Sequence, residues 1–173
     1  MILHPLNCSG SSLEEIGRDM SNLAHTPFIL DSVKFASVEA FYICLRTPNQ
    51  EQRLQVAQLH GVKAKHMGAK LKKKFRLTHT TWLGVTFELG SEPHHQLVKR
   101  AIRAKLEQNK KIRKEFLKTS PRPITHDTGW PQSRFTQLPG EKFSLLLSEL
   151  RAELSWQGRL RESLRRLVGL LAA

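Results

Sequence analysis

Acidic residues are scarce: 15 Asp and Glu stand against 28 Lys and Arg, leaving a formal net charge of +13. Such a surface carries a positive field that favours phosphates, nucleic acid or an acidic partner. Cysteine is scarcer still. Cys8 and Cys44 lie in unlike settings and share no metal-ligand or redox spacing, so neither a metal centre nor a redox pair is expected. The chain starts without a secretory signal, so a cytoplasmic location is expected. No apolar run reaches the roughly 18 residues of a membrane-spanning helix, so no span is expected. There is no Gly-rich phosphate loop, HExxH or nucleophile elbow, and no internal repeat. No cofactor is expected.

What remains is a globular composition. With 173 residues, 39% of them apolar, the chain is one domain's worth and large enough to bury a core. The expected organisation is a lead-in over 1–14, a domain over 15–154 and a basic amphipathic tail over 155–173. The expected class is mainly α with a small β-hairpin.

A short helix fits LEEIGRDM. Phe28 to Leu30 and Val33 to Phe35, split by Asp31-Ser32, read as a hairpin whose turn lacks the favoured Asn-Gly chemistry. Ser37 is placed to cap a helix with Val38, Phe41, Tyr42 and Leu45 at three- and four-residue spacing, ending before Pro48. A second helix fits Glu51 to His60. GVKAKHMGAKLKKKFR holds seven Lys or Arg between Lys63 and Arg76 and no acid, which fits a solvated helix face or a phosphate-binding edge. Residues 77–93 read as an irregular connection with a strand-like piece. From Gln96 to Lys118 a helical stripe runs through Val98, Ile102, Leu106, Ile112 and Phe116. A Pro- and Gly-rich loop follows. Glu141 to Leu154 forms the next helix, with Phe143, Leu146, Leu147, Leu150 and Leu154 as its core positions, and the tail places Leu160, Leu164, Leu167 and Leu171 opposite Arg159, Arg161, Arg165 and Arg166. His94-His95 point in different directions on any regular element, so a surface pair is expected there rather than paired metal ligation.

A few acids and aromatics stand in unexpected places. Glu39 sits in the first turn of an otherwise apolar helix, where free amides and the helix dipole favour its ionised form; acids are common in first turns for that reason alone. Asp127 and Trp130 lie in HDTGWP, where an Asp commonly forms a turn and a Trp commonly packs.

Taken in order, these fragments resemble the NADAR or YbiA-like family, whose name links it to NAD and ADP-ribose. DMSNLAHTPFILDSVKFASVEAFY resembles the family's opening: a Ser-Asn-Phe-like step at Ser21-Asn22-Leu23, a short hairpin, then a Ser-x-Glu-His-Tyr helix start at Ser37-Val38-Glu39-Ala40-Phe41. HMGAK resembles its Met-Gly-Arg step, LVKRAIRAKLEQNKKIRKEFLKTSP its long basic helix with a Lys-Phe-Glu-Gln-like core, HDTGWP its Asp-x-x-Trp-Gly loop and KFSLLLSELRAEL its closing helix. The similarity covers about residues 15 to 154. It departs from the pattern at Ala40, Ile43-Cys44-Leu45, Ala69, Pro131-Gln132-Ser133 and Glu141, each of which replaces a polar or flexible group.

The resemblance implies a compact, mainly helical fold and cleavage of an N-glycosidic bond, in an ADP-ribosylated substrate such as ADP-ribosyl-guanine in nucleic acid or in a ribosylamino phosphate. It implies Glu39 and Asp127 as catalytic acids, with Asn22 and Trp130 shaping the substrate pocket. Arg46 and Lys70 are expected to contact phosphate. The alternative is a module that binds ADP-ribose or nucleic acid, or regulates, with weakened catalysis.

Overall fold

The computed structural model describes residues 3–132 and 136–171. The segment over 6–8 lies inside the fold rather than beside it. β1 (Leu6–Asn7) pairs in parallel with the distant β6 (Ile124–Thr125), and Leu6 and Cys8 are fully buried. Part of the expected lead-in, Leu6 to Ser9, therefore packs into the core. α1 (Glu15–Met20) packs onto β1 through Gly17: a Cβ there would stand 2.2 Å from the Asn7 carbonyl oxygen and 2.2 Å from Ser12 Oγ. Only a residue without a side chain permits that approach. Gly17→Ala is expected to lower the free energy of unfolding by about 1–3 kcal/mol, the usual range for overpacking, measured by urea denaturation.

β2 (Phe28–Leu30) and β3 (Val33–Phe35) form the expected hairpin, with Phe28 opposite Phe35. Asp31 and Ser32 both take positive φ, 50° and 65°, as a two-residue hairpin turn of this hand requires. Tertiary contacts hold this unfavourable pair: the Asp31 carboxylate accepts from Trp82 Nε1 at 2.7 Å and pairs with Arg100.

Next comes α2 (Val38–Cys44), started by Ser37, whose hydroxyl accepts from the Ala40 amide at 3.0 Å. Every residue of α2 is buried except Glu39, which is half-buried. Phe41 meets Phe35 and Trp82 edge-on at 5.3 and 5.2 Å between ring centroids, contacts worth about 0.5–1.5 kcal/mol each beyond their buried area. α3 (Gln50–Ala57) and α4 (Gly61–Phe75) pack against α2. Residues 77–93 hold a second hairpin, β4 (His79–Trp82) and β5 (Val85–Glu88), where an irregular connection was expected.

The long basic stripe is two helices, α5 (Glu92–Gln108) and α6 (Lys110–Lys118). Asn109 breaks them, with φ −108° and ψ 75°, and its side-chain amide donates to the carbonyls of Pro27 and Lys105. α7 (Gly140–Leu171) buries Phe143, Leu146, Leu147, Leu150 and Leu154 as expected, and it runs on unbroken to Leu171, so the tail continues this helix. The side chains of Leu164, Leu167 and Leu171, with the arginines opposite them, lie outside the described residues. Lys99 joins α5 to α7 by donating to Glu149 at 2.6 Å and Glu153 at 2.8 Å. The architecture is thus α+β and mainly helical, and no described helix is long and apolar enough to cross a membrane.

Candidate functional site

Because α2 is buried on all sides but one, its single half-exposed residue marks where the core opens. Glu39, Tyr42 and Arg46 recur at three- and four-residue spacing and share one face of this helix and its C-terminal extension. They line a cavity of about 440 Å³. Asn22 closes it from the chain before the first hairpin and is tied to α2 directly, its carbonyl accepting from the Glu39 amide at 2.8 Å. α4 supplies Lys65 and Lys72, and the loop before α7 supplies His126, Thr128 and Gln137.

Gly68 sets the distance between α4 and α2. A Cβ on it would stand 3.2 Å from Ile43 Cγ1 and 3.5 Å from Glu39 Oε1. The glycine of the Met-Gly step therefore lets α4 settle beside the carboxylate.

Glu39 is the single acid among the described residues lining the cavity, facing Arg46, Lys65 and Lys72. Burial raises its carboxyl above the ordinary glutamate range, and the positive charges of Arg46 and Lys65 pull it back only in part. Its place in the first turn of α2 therefore does not bring its proton affinity below the ordinary glutamate level; burial is the larger influence. Arg46 lies over the Tyr42 ring at 4.3 Å and donates from Nη2 to the Tyr42 hydroxyl at 2.5 Å. Burial pushes that hydroxyl up to about 12, so it stays protonated at neutral pH. Lys72 is lowered from its ordinary value, first by burial and then by the charge of Arg46.

Behind Tyr42 stand the adjacent histidines, both buried rather than on the surface as expected. The His94 ring lies 5.5 Å from Tyr42, and its Nδ1 accepts from the Gly90 amide. Burial, His95 and Arg46 lower it to about 4, so it is neutral. His95 donates from Nε2 to the Gln137 carbonyl at 2.8 Å, fixing part of the cavity wall. Among the described residues no group of three or more His, Cys, Asp or Glu is placed to hold a metal ion.

Of the residues singled out from sequence, Glu39, Asn22 and Arg46 share this cavity, whereas Asp127, Trp130 and Lys70 are not among its lining residues. Asp127 lies between His126 and Thr128, which do line it. Its carboxylate accepts instead from the Gly129 amide at 2.8 Å, and its carbonyl accepts from Asn7, Ser9 and Ser11. This makes Asp127 a turn former that ties the loop to β1. Trp130 is 77% exposed. Lys70 is exposed and stands away from Gly68 around α4, while Lys65 and Lys72, three residues before and four after Gly68, share its face. That spacing was the signal for them, hidden by the density of lysines. Tyr42 read as core because it is core, 8% exposed, yet it also lines the site.

The fold aligns with the solution structure of the E. coli protein YbiA at a TM-score of 0.62 and 20% identity, covering 91% of this chain and 89% of that one. A 17.1 kDa protein from the Gp30-rIII intergenic region of Enterobacteria phage T4 is 27% identical over 107 residues, 62% of this chain and 70% of the relative. The family model of bacteriophage protein GP30.3 matches residues 15–152. The chain therefore belongs to the bacteriophage protein GP30.3 family and is a divergent NADAR-like protein with the YbiA fold.

Proposed function

We propose that the cavity around Glu39 hydrolyses an N-glycosidic bond of an ADP-ribosylated or ribosylamino-phosphate substrate. The observation that carries this reading is a lone carboxylate with a raised pKa, set beside Arg46, Lys65 and Lys72 in a cavity of about 440 Å³. As the C1′–N bond breaks, its electron pair leaves with the nitrogen and positive charge grows on the ribose ring. Glu39 stabilises that charge. It also takes a proton from the attacking water as the new C1′–O bond forms, and returns it to the departing nitrogen. A carboxyl whose proton affinity is raised by burial suits both halves of that transfer. Arg46 holds the phosphate end, oriented by Tyr42. Asp127, Trp130 and Lys70 are given no part in the step, because none of them lines the cavity.

The test is release of free ADP-ribose from ADP-ribosylated guanosine or nucleic acid, with a ribosylamino-pyrimidine phosphate assayed in parallel. The reading expects turnover of one of the two. A protein that binds ADP-ribose in calorimetry but releases nothing from either is a binding or regulatory module, and the glycosidase reading is then abandoned.

A further inference from the structure

Two apolar faces run along α7. Phe143, Leu146, Leu147, Leu150 and Leu154 fill the core from one of them. At about 100° per residue, Leu145, Ala152, Trp156 and Leu160 fall within about 80° of one another on the other side of the helix. All four are exposed, Leu145 by 49%, Trp156 by 58% and Leu160 by 44%. A single exposed leucine is ordinary on any surface, but four apolar residues aligned over about 22 Å of one helix make a patch.

The charge and the shape of this stripe decide what covers it. Lys99 of α5 donates to both Glu149 and Glu153, Arg103 pairs with Glu153, and Lys142 pairs with Glu92. That flank is neutralised within the chain and offers a polyanion or an anionic membrane no surplus of positive charge. The stripe instead matches itself. Its ends carry large side chains, Leu145 and Leu160, and the small Ala152 lies near its centre. A two-fold axis beside Ala152 sets Leu145 of each copy against Leu160 of the other and lets each Trp156 cross the methyl group of the opposite Ala152. We propose that two copies of the chain associate through this face of α7, antiparallel and isologous. One helix face covers less than the ~800 Å² per partner of a standard interface, and each copy brings a net charge of +13, so the dimer is weak and exchanges with the monomer.

Sedimentation of the full chain over a range of micromolar concentrations, at low and high salt, tests the proposal. The weight-average mass is expected to rise with concentration from 19.8 kDa toward twice that value, and association is expected to tighten with salt, which screens the like charge of the two copies. Copies bridged by a bound polyanion behave oppositely and come apart as salt rises. Trp156→Ala and Ala152→Glu, both at exposed positions, are expected to weaken association by at least about tenfold, the scale of a central aromatic anchor. Leu83→Glu, on the exposed turn of the second hairpin, is expected to leave it unchanged. Circular dichroism of each variant is expected to match the unmodified protein, since none of the three side chains is part of the core. A chain that stays monomeric at every concentration, an association that salt loosens, a dimer indifferent to both Trp156→Ala and Ala152→Glu, or one broken by Leu83→Glu overturns the proposal.

Discussion

Glu39→Gln is expected to lower turnover by at least about a hundredfold, the low end for acid–base roles, while the protein melts at the same temperature or higher. The two halves come from one observation. Burial raises the Glu39 carboxyl, so the folded state holds its proton more tightly than the unfolded state does. The stability attached to that proton is fully present below the ordinary glutamate range and is lost as pH rises through the raised folded value. At neutral pH the ionised carboxylate therefore costs stability, and a glutamine of the same shape removes the cost. The difference in melting temperature between Glu39→Gln and the unmodified protein should accordingly widen from pH 4 to pH 8. An acid kept only to start a helix behaves oppositely: its ionised form is stabilising, and its loss lowers the melting temperature most at neutral pH. Thermal scans at several pH values with a turnover assay at each distinguish the two, and a fall in melting temperature without a fall in turnover removes Glu39 from the chemistry.

Local signals were strong enough in the sequence to place the elements around this residue. Ser37 announced the start of α2, the apolar spacing of Phe143 to Leu154 announced the buried face of α7, and two short runs about Asp31-Ser32 announced the first hairpin. Where the reading fell short, the deciding contact lay far away along the chain. β1 and β6 contribute two residues each from opposite ends of the domain, and no local pattern distinguishes such strands from loop. The break at Asn109 left a trace in the six-residue step from Leu106 to Ile112, which no helical repeat spans, but the hydrogen bond that settles it goes to Pro27. The site divides the same way. Residues on one helix face with Glu39 could be reached by counting, whereas His126 and Gln137 enter the cavity from a loop whose path only the fold defines. Asp127 shows the limit of type and position together: its carboxylate is spent on a turn with Gly129.

Lys105→Met is expected to change the slope of stability against pH, because Lys105 is a buried ammonium with a structural task beneath the cavity. Its side chain is 1% exposed, and Nζ donates to the carbonyls of Asp19 at 2.6 Å and Ser21 at 3.1 Å. Gln108 and Asn109, on the turn that follows, add bonds to the backbone of Ile29 and Pro27. The end of α5 thus clamps residues 19–29, the segment that brings Asn22 to Glu39. Burial lowers Lys105 from its ordinary 10.5 to about 7, with Asp19 and Cys8 opposing the shift. Between those two values the unfolded chain binds a proton that the folded protein releases, so stability rises with pH across that window, and below pH 7 the penalty of burying the charge is felt in full. Cys8, the nearest thiol, is pushed up to about 12 and stays silent across the window. Methionine fills a similar volume and carries no proton, so the variant lacks this rise. It also leaves two buried carbonyls without their donor, at about 1–3 kcal/mol each. Urea denaturation from pH 6 to pH 10 should therefore show the variant closest to the unmodified protein at pH 6 and furthest below it at pH 10. Parallel curves would mean that Lys105 titrates as an ordinary surface lysine. Because Ser21 and Asn22 both line the cavity, the same variant should bind ADP-ribose more weakly even at pH 6, where its fold is least affected.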